Sequence, residues 1–206
     1  KCGGFCSYGW GRKIKGRAVC WASSVGFDTV WAKEARYVGA YLAKRNITVV
    51  YGGGRAGLMG ELANGALDNQ GEVIGIIPHF LNSKEREHTG VTELITVETM
   101  HERKLKMSEL SAGIIAMPGG FGTLEELFEM ITWGQLGLHQ KPVGLLNING
   151  FYDHLIAFTL EMVKVGLLKK ENQEMLLVAS TIEELVLKME DYEAPLVPKW
   201  LNIEQS

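Results

Sequence analysis

The chain has 206 residues, 46% of them hydrophobic and 22% charged, with a formal net charge of −3. That length supports one well-buried core, the near-neutral balance gives no footprint for nucleic acid, and no apolar stretch approaches the ~20 residues of a membrane span. Its three cysteines, Cys2, Cys6 and Cys20, form neither a disulfide framework nor a zinc site. With no secretory segment at the N-terminus either, the expectation is a reducing, cytoplasmic setting.

Residues 1–16 mix Gly with basic side chains and show no periodicity, so they read as a flexible tail or cloning remnant outside the fold. Arg17 to Ala22 can form a first strand, followed by a Ser23-Ser24 loop and a helix from about Asp28 to Arg45. Asn46 stops that helix, and Ile47 to Tyr51 make a β-branched second strand. Directly after it, Gly52-Gly53-Gly54-Arg55-Ala56-Gly57 leads into a helix through about Asn69, a strand, glycine loop, helix unit only loosely related to dinucleotide fingerprints. Glu72 to Ile77 reads as a strand. The long segment from Pro78 to Thr92, holding His79, Lys84, Glu85, Arg86, Glu87 and His88, reads as a loop and a candidate wall of a site.

Glu93 to Val97 is a further strand, and Thr99 caps a helix reading MHERKLKMSELS. On it Met100, Arg103, Lys104 and Met107 occupy i, i+3, i+4 and i+7, so two cations stand where a core stripe should be apolar. Either they snorkel to the surface or they face an anion or a buried carboxylate.

Gly113 to Met117 then form an apolar run of the kind buried on both faces of a parallel sheet. It ends at Pro118-Gly119-Gly120-Phe121-Gly122-Thr123, with a helix expected from about Thr123. Strand, glycine turn and helix start together present backbone N–H groups and a helix dipole to an anion. Leu124, Leu127, Phe128 and Ile131 form the expected core stripe of this helix, with Met130 and Trp133 on a second apolar face that also carries Glu126. Glu125 and Glu129 read as carboxylates that favour a helix N-terminus, whereas Glu126 reads as a site residue.

Lys141 to Asn147 make another strand, followed by a helix from about Tyr152 to Lys164, a short helix near Lys170 to Met175 and a strand at Leu176 to Ala179. A last helix is opened by Ser180-Thr181. Strands alternating with helices predict an α/β fold, a doubly wound parallel sheet with helices on both faces, in one domain over 17–191 and an extension at 192–206. Ligands of such sheets bind beyond the carboxyl ends of the strands, where both glycine loops and the Ser23-Ser24 loop would lie.

YGGGRAGLMG at 51–60, MHERK at 100–104 and PGGFGTLEE at 118–126 together resemble the Lonely Guy (LOG) family of cytokinin-activating phosphoribohydrolases, long mislabelled as lysine decarboxylases. The likeness spans residues 17–191. It implies a Rossmann-like fold, a homodimer or higher oligomer, no cofactor, and hydrolysis of N6-modified AMP, or of AMP itself, to free base and ribose 5-phosphate. Residue by residue it marks Arg103 and Glu126 as the catalytic pair. Lys104, Gly119, Gly120, Phe121, Gly122, Thr123, Leu124 and Glu125 correspond to the substrate-binding run, with Ser24, Gly53, Gly54, Glu85, Met107 and Thr132 as further contacts. The chain departs from the family at Trp21-Ala22-Ser23-Ser24, where Cys-Gly-Ser-Ser is usual, and a Cβ at position 22 bears on nucleotide affinity more than on the reaction.

Cleaving an N-glycosidic bond passes through an oxocarbenium-like sugar, which calls for negative charge near C1′ and an activated water. Glu126, kept ionised and oriented by Arg103, meets both needs, while the N–H groups of Gly120, Gly122 and Thr123 and the Thr123 hydroxyl would hold the 5′-phosphate. A nucleotide-binding carrier of the same fold would need no Arg103/Glu126 pair. A pyridoxal-phosphate decarboxylase would need a Schiff-base lysine that nothing marks.

Overall fold

A computed structural model describes residues 17–21, 29–82 and 87–195. Ser24, Glu85 and the Ala22-Ser23 step, together with 1–16 and 196–206, lie outside the described residues. The elements in chain order are β1 (Arg17–Trp21), α1 (Thr29–Lys44), β2 (Thr48–Tyr51), α2 (Gly57–Asp68), β3 (Val73–Pro78), α3 (His79–Asn82), β4 (Glu93–Val97), α4 (Met100–Leu110), β5 (Gly113–Ala116), α5 (Phe121–Gln135), β6 (Val143–Leu146), α6 (Asp153–Lys164), α7 (Lys170–Gln173), β7 (Leu176–Ala179) and α8 (Ile182–Glu190).

All strand pairs are parallel, in the order β4-β3-β2-β1-β5-β6-β7. Strands β2, β3, β5 and β6 are buried on both faces, as their unbroken apolar runs require. Val38, Leu42, Leu62 and Leu185 pack α1, α2 and α8 on one face, and Met107, Leu127 and Met130 pack α4 and α5 on the other. The chain order reverses between β1 and β5, so the crevice beyond their carboxyl ends is the natural ligand position. Helix ends follow local chemistry. Asn46 leaves α1 with φ 57°, Thr99 accepts the Glu102 N–H at 3.1 Å, and Thr181 caps α8 in the same way.

Three expectations change. The segment 78–92 is not one open loop: it begins with α3, Glu87 bridges back to Gly54, and His88 is buried. Helix α5 begins at Phe121 rather than Thr123, because Gly120 is an extended N-cap and first-turn N–H groups need no helical partner, so Gly122 does not delay the start. Of the expected stripe of α5, Leu127 is buried and Leu124 and Ile131 are half-buried against the core, whereas Phe128 is exposed and Thr123, Met130 and Gly134 are buried in its place. Apolar residues stand on both sides of the helix, so periodicity alone could not fix which edge of the stripe turns inward. Met107 and Met130 therefore belong to the core and offer no second surface.

Candidate active site

Because every strand runs the same way, the loops after β2 and β5 and the first turns of α4 and α5 converge on one edge of the sheet. The PGGFGT turn leaves β5 through Met117 and Pro118, both buried, and delivers Gly120 as the N-cap of α5. That cap has no side chain to accept a hydrogen bond, and no acid stands in the first turn. The N–H groups at the start of α5 thus have no side-chain cap, and the helix dipole adds to their pull on an anion. Around them Phe121 is 93% exposed and Gly122 is open, with nothing within 4 Å of where a Cβ would lie. Thr123 is only 3% exposed, on the underside of the helix, with Leu124 half-buried and Thr132 donating to the Phe128 carbonyl at 2.7 Å.

The two cations of α4 do not snorkel: Arg103 is 6% and Lys104 7% exposed. Arg103 Nη2 donates to the Gly52 carbonyl at 3.0 Å, its Nη1 stands 3.8 Å from Met100 Sδ, and its Nε is buried without a partner. A Cβ at position 52 would collide with that guanidinium, so the glycine after β2 is what lets Arg103 reach the strand edge. Lys104 Nζ lies 2.6 Å from Glu125 and 2.9 Å from Glu129. Burial pushes the Lys104 ammonium down, but the two carboxylates outweigh it and raise it. Glu125 and Glu129 therefore do more than favour a helix N-terminus. They neutralise Lys104 and flank the site.

Glu126, half-buried beside them on the same helix, has no ion-pair partner among the described residues. Burial pushes its carboxyl up to about 7, with the opposing pull of Arg103 too weak to cancel it. Arg103 does favour the ionised carboxylate, as expected, but desolvation outweighs a guanidinium that makes no ion pair with it. A carboxyl titrating near neutrality, beside a cation and an anion-receptive helix start, can act as a general base.

The glycine loop after β2 forms the second wall. Gly53 has φ +77°, a conformation suited to glycine, and its carbonyl accepts the His88 N–H at 3.1 Å. His88 Nδ1 accepts from the Gly90 N–H at 3.2 Å, so its Nε2 carries the proton facing Asn64 Oδ1 at 3.0 Å. Burial, and then Arg55, hold this imidazole below its usual range. His88 belongs to the segment expected as a candidate wall, whereas Asn64 went unnoticed in the sequence, as did Tyr152, whose hydroxyl donates to the Met117 carbonyl at 2.6 Å. Their roles are long-range contacts with no local pattern.

A separate groove of about 650 Å³ lies beyond β6 and β7, lined by Tyr37, Asn147, Thr181, Glu34 and Glu183. Its charged groups are carboxylates, and Tyr37 donates to Glu183, so it is ill-suited to a phosphate. No group of His, Cys, Asp and Glu among the described residues could hold a metal, and no described helix is long and apolar enough to cross a membrane.

The family described as "Possible lysine decarboxylase" matches residues 59–189. The cytokinin riboside 5'-monophosphate phosphoribohydrolase LOG3 of Arabidopsis thaliana is 44% identical over 183 residues, covering 88% of this chain and 85% of that protein. The corresponding LOG enzyme of Oryza sativa subsp. japonica is 43% identical over 183 residues, covering 88% and 76%. Among solved structures, the molybdenum cofactor binding protein of Rippkaea orientalis superimposes with a TM-score of 0.65, covering 86% of this chain and 96% of that one, at 22% identity. That likeness shows the fold alone. Relatedness at this identity over nearly the whole fold shows that the chain belongs to the possible lysine decarboxylase family, the family of the LOG phosphoribohydrolases.

Proposed function

We propose that the protein hydrolyses the N-glycosidic bond of adenosine 5′-monophosphates, N6-modified ones included, releasing the base and ribose 5-phosphate. The observation that carries this reading is the half-buried Glu126 on the helix whose start is uncapped and glycine-led, with Arg103 buried nearby. The 5′-phosphate would sit on the N–H groups of Phe121 and Gly122, a remote anchor that holds C1′ for attack. Ionised Glu126 takes a proton from water, the hydroxide adds to C1′, and the electrons of the C1′–N bond leave with the base, which picks up the proton. Arg103, with its unpaired Nε, would orient water or a ribose hydroxyl there.

Leu105, Phe128 and Phe121 leave an apolar surface exposed around this site, which supports a homodimer whose two-fold face closes it from water. Nucleoside monophosphates are intracellular metabolites, in keeping with the cytoplasmic setting expected from the cysteines. The test is incubation with AMP, isopentenyladenosine monophosphate and adenosine, followed by assay of ribose or ribose 5-phosphate. Release from the nucleotides with adenosine far poorer supports the reading. No release from either nucleotide, or equal rates on nucleoside and nucleotide, overturns it.

A further inference from the structure

Strand β5 ends at Ala116, and the chain must then turn through Met117, Pro118, Gly119 and Gly120 before α5 begins. Two consecutive glycines make such a turn conformationally loose, so something else must fix the direction in which the helix start points. No side chain within the turn does so.

The fixing group comes from Tyr152, the residue that precedes α6. Tyr152 is 3% exposed, and its hydroxyl donates to the Met117 carbonyl at 2.6 Å. The hydroxyl therefore holds the chain immediately before Pro118, where the turn begins. Tyr152 is itself held: its N–H donates to Asn147 Oδ1 at 2.7 Å, and Asn147 Nδ2 donates to Asp153 Oδ1 at 2.8 Å. The Asn147 N–H donates to the Ala179 carbonyl at 2.8 Å, tying the assembly to β7. The Phe151 ring packs edge-on against Tyr152 with centroids 4.8 Å apart. The clip is thus tied to the sheet through Asn147 and stands outside the turn it holds.

We infer that Tyr152 is a positioning residue for anion binding: by holding the Met117 carbonyl it sets the turn that aims the first N–H groups of α5 at the substrate's phosphate. This rests on the phosphate placement proposed above. Preorganised N–H donors lose affinity when the turn must be ordered by the ligand itself, and one lost hydrogen bond at about 1.4 kcal/mol corresponds to about tenfold in binding. Tyr152 touches neither the sugar nor the base, so the loss should follow the phosphate.

The test is Tyr152→Phe, which keeps the ring and its packing on Phe151. KM for AMP and the inhibition constant of ribose 5-phosphate are expected to rise about tenfold, with kcat within about threefold of wild type and the slow rate on adenosine unchanged. Backbone amide exchange over 117–122 is expected to accelerate in the ligand-free variant, a readout independent of turnover. Unchanged KM and inhibition constant with wild-type exchange would overturn the proposal, as would a fall in kcat at unchanged KM. Wild-type enzyme that neither binds ribose 5-phosphate nor prefers AMP over adenosine would instead overturn the phosphate placement, and this inference with it.

Discussion

Replacing Glu126 by Gln keeps the side chain's size and removes its charge, and its effects on stability and on activity run in opposite directions. Burial holds the Glu126 carboxyl at about 7 against an ordinary 4.5. A tenfold change in proton affinity corresponds to about 1.4 kcal/mol, so ionising this group in the fold costs about 3 kcal/mol more than in the unfolded chain. Below the unfolded value both states hold the proton and nothing is lost. As the pH rises from there towards 7, the unfolded chain gives up its proton first, so wild-type stability falls, and above 7 the full cost is present. Gln escapes this cost. Glu126→Gln is therefore expected to match wild type near pH 4 and to exceed it by about 3 kcal/mol near pH 8, with hydrolysis abolished throughout. Guanidinium unfolding at a fixed protein concentration across that range reads the difference, and kcat/KM of the wild type should show an acidic limb near pH 7. A stability difference that does not vary with pH, or near wild-type turnover in the variant, would refute the reasoning.

Gly122→Ala places a Cβ in open space on a helical first turn, so thermal stability should hold or rise slightly while KM for AMP increases; an unchanged KM would remove Gly122 from the phosphate site. Tyr51 Oη is buried without a hydrogen-bond partner, and Tyr51→Phe is expected to stabilise the fold by about 1 kcal/mol in urea unfolding, whereas destabilisation would mean the oxygen has a partner. Phe128→Glu puts a charge on the exposed face of α5, and sedimentation should show a weakened dimer with activity falling alongside it; a monomer of full activity at micromolar concentration would rule out the shared site.

The order of strands and helices, the glycine turns and the helix caps could be read from the sequence, because each rests on nearest-neighbour chemistry: β-branched runs, Asn46 in a left-handed conformation, Thr99 and Thr181 at helix starts. The placement of both glycine loops on one edge follows from the parallel sheet that alternation implies. Motif likeness likewise singled out Arg103 and Glu126. Tertiary structure alone decided which edge of the apolar stripe of α5 turns inward, since the choice depends on the sheet beneath and not on the helix. It also decided that Arg103 runs to Gly52 while Lys104 is shared by Glu125 and Glu129, and that Tyr152 reaches back across the sequence to Met117. Glu126 makes the distinction plainest: its identity and spacing are local, but its proton affinity is set by burial among groups brought together only when the chain folds.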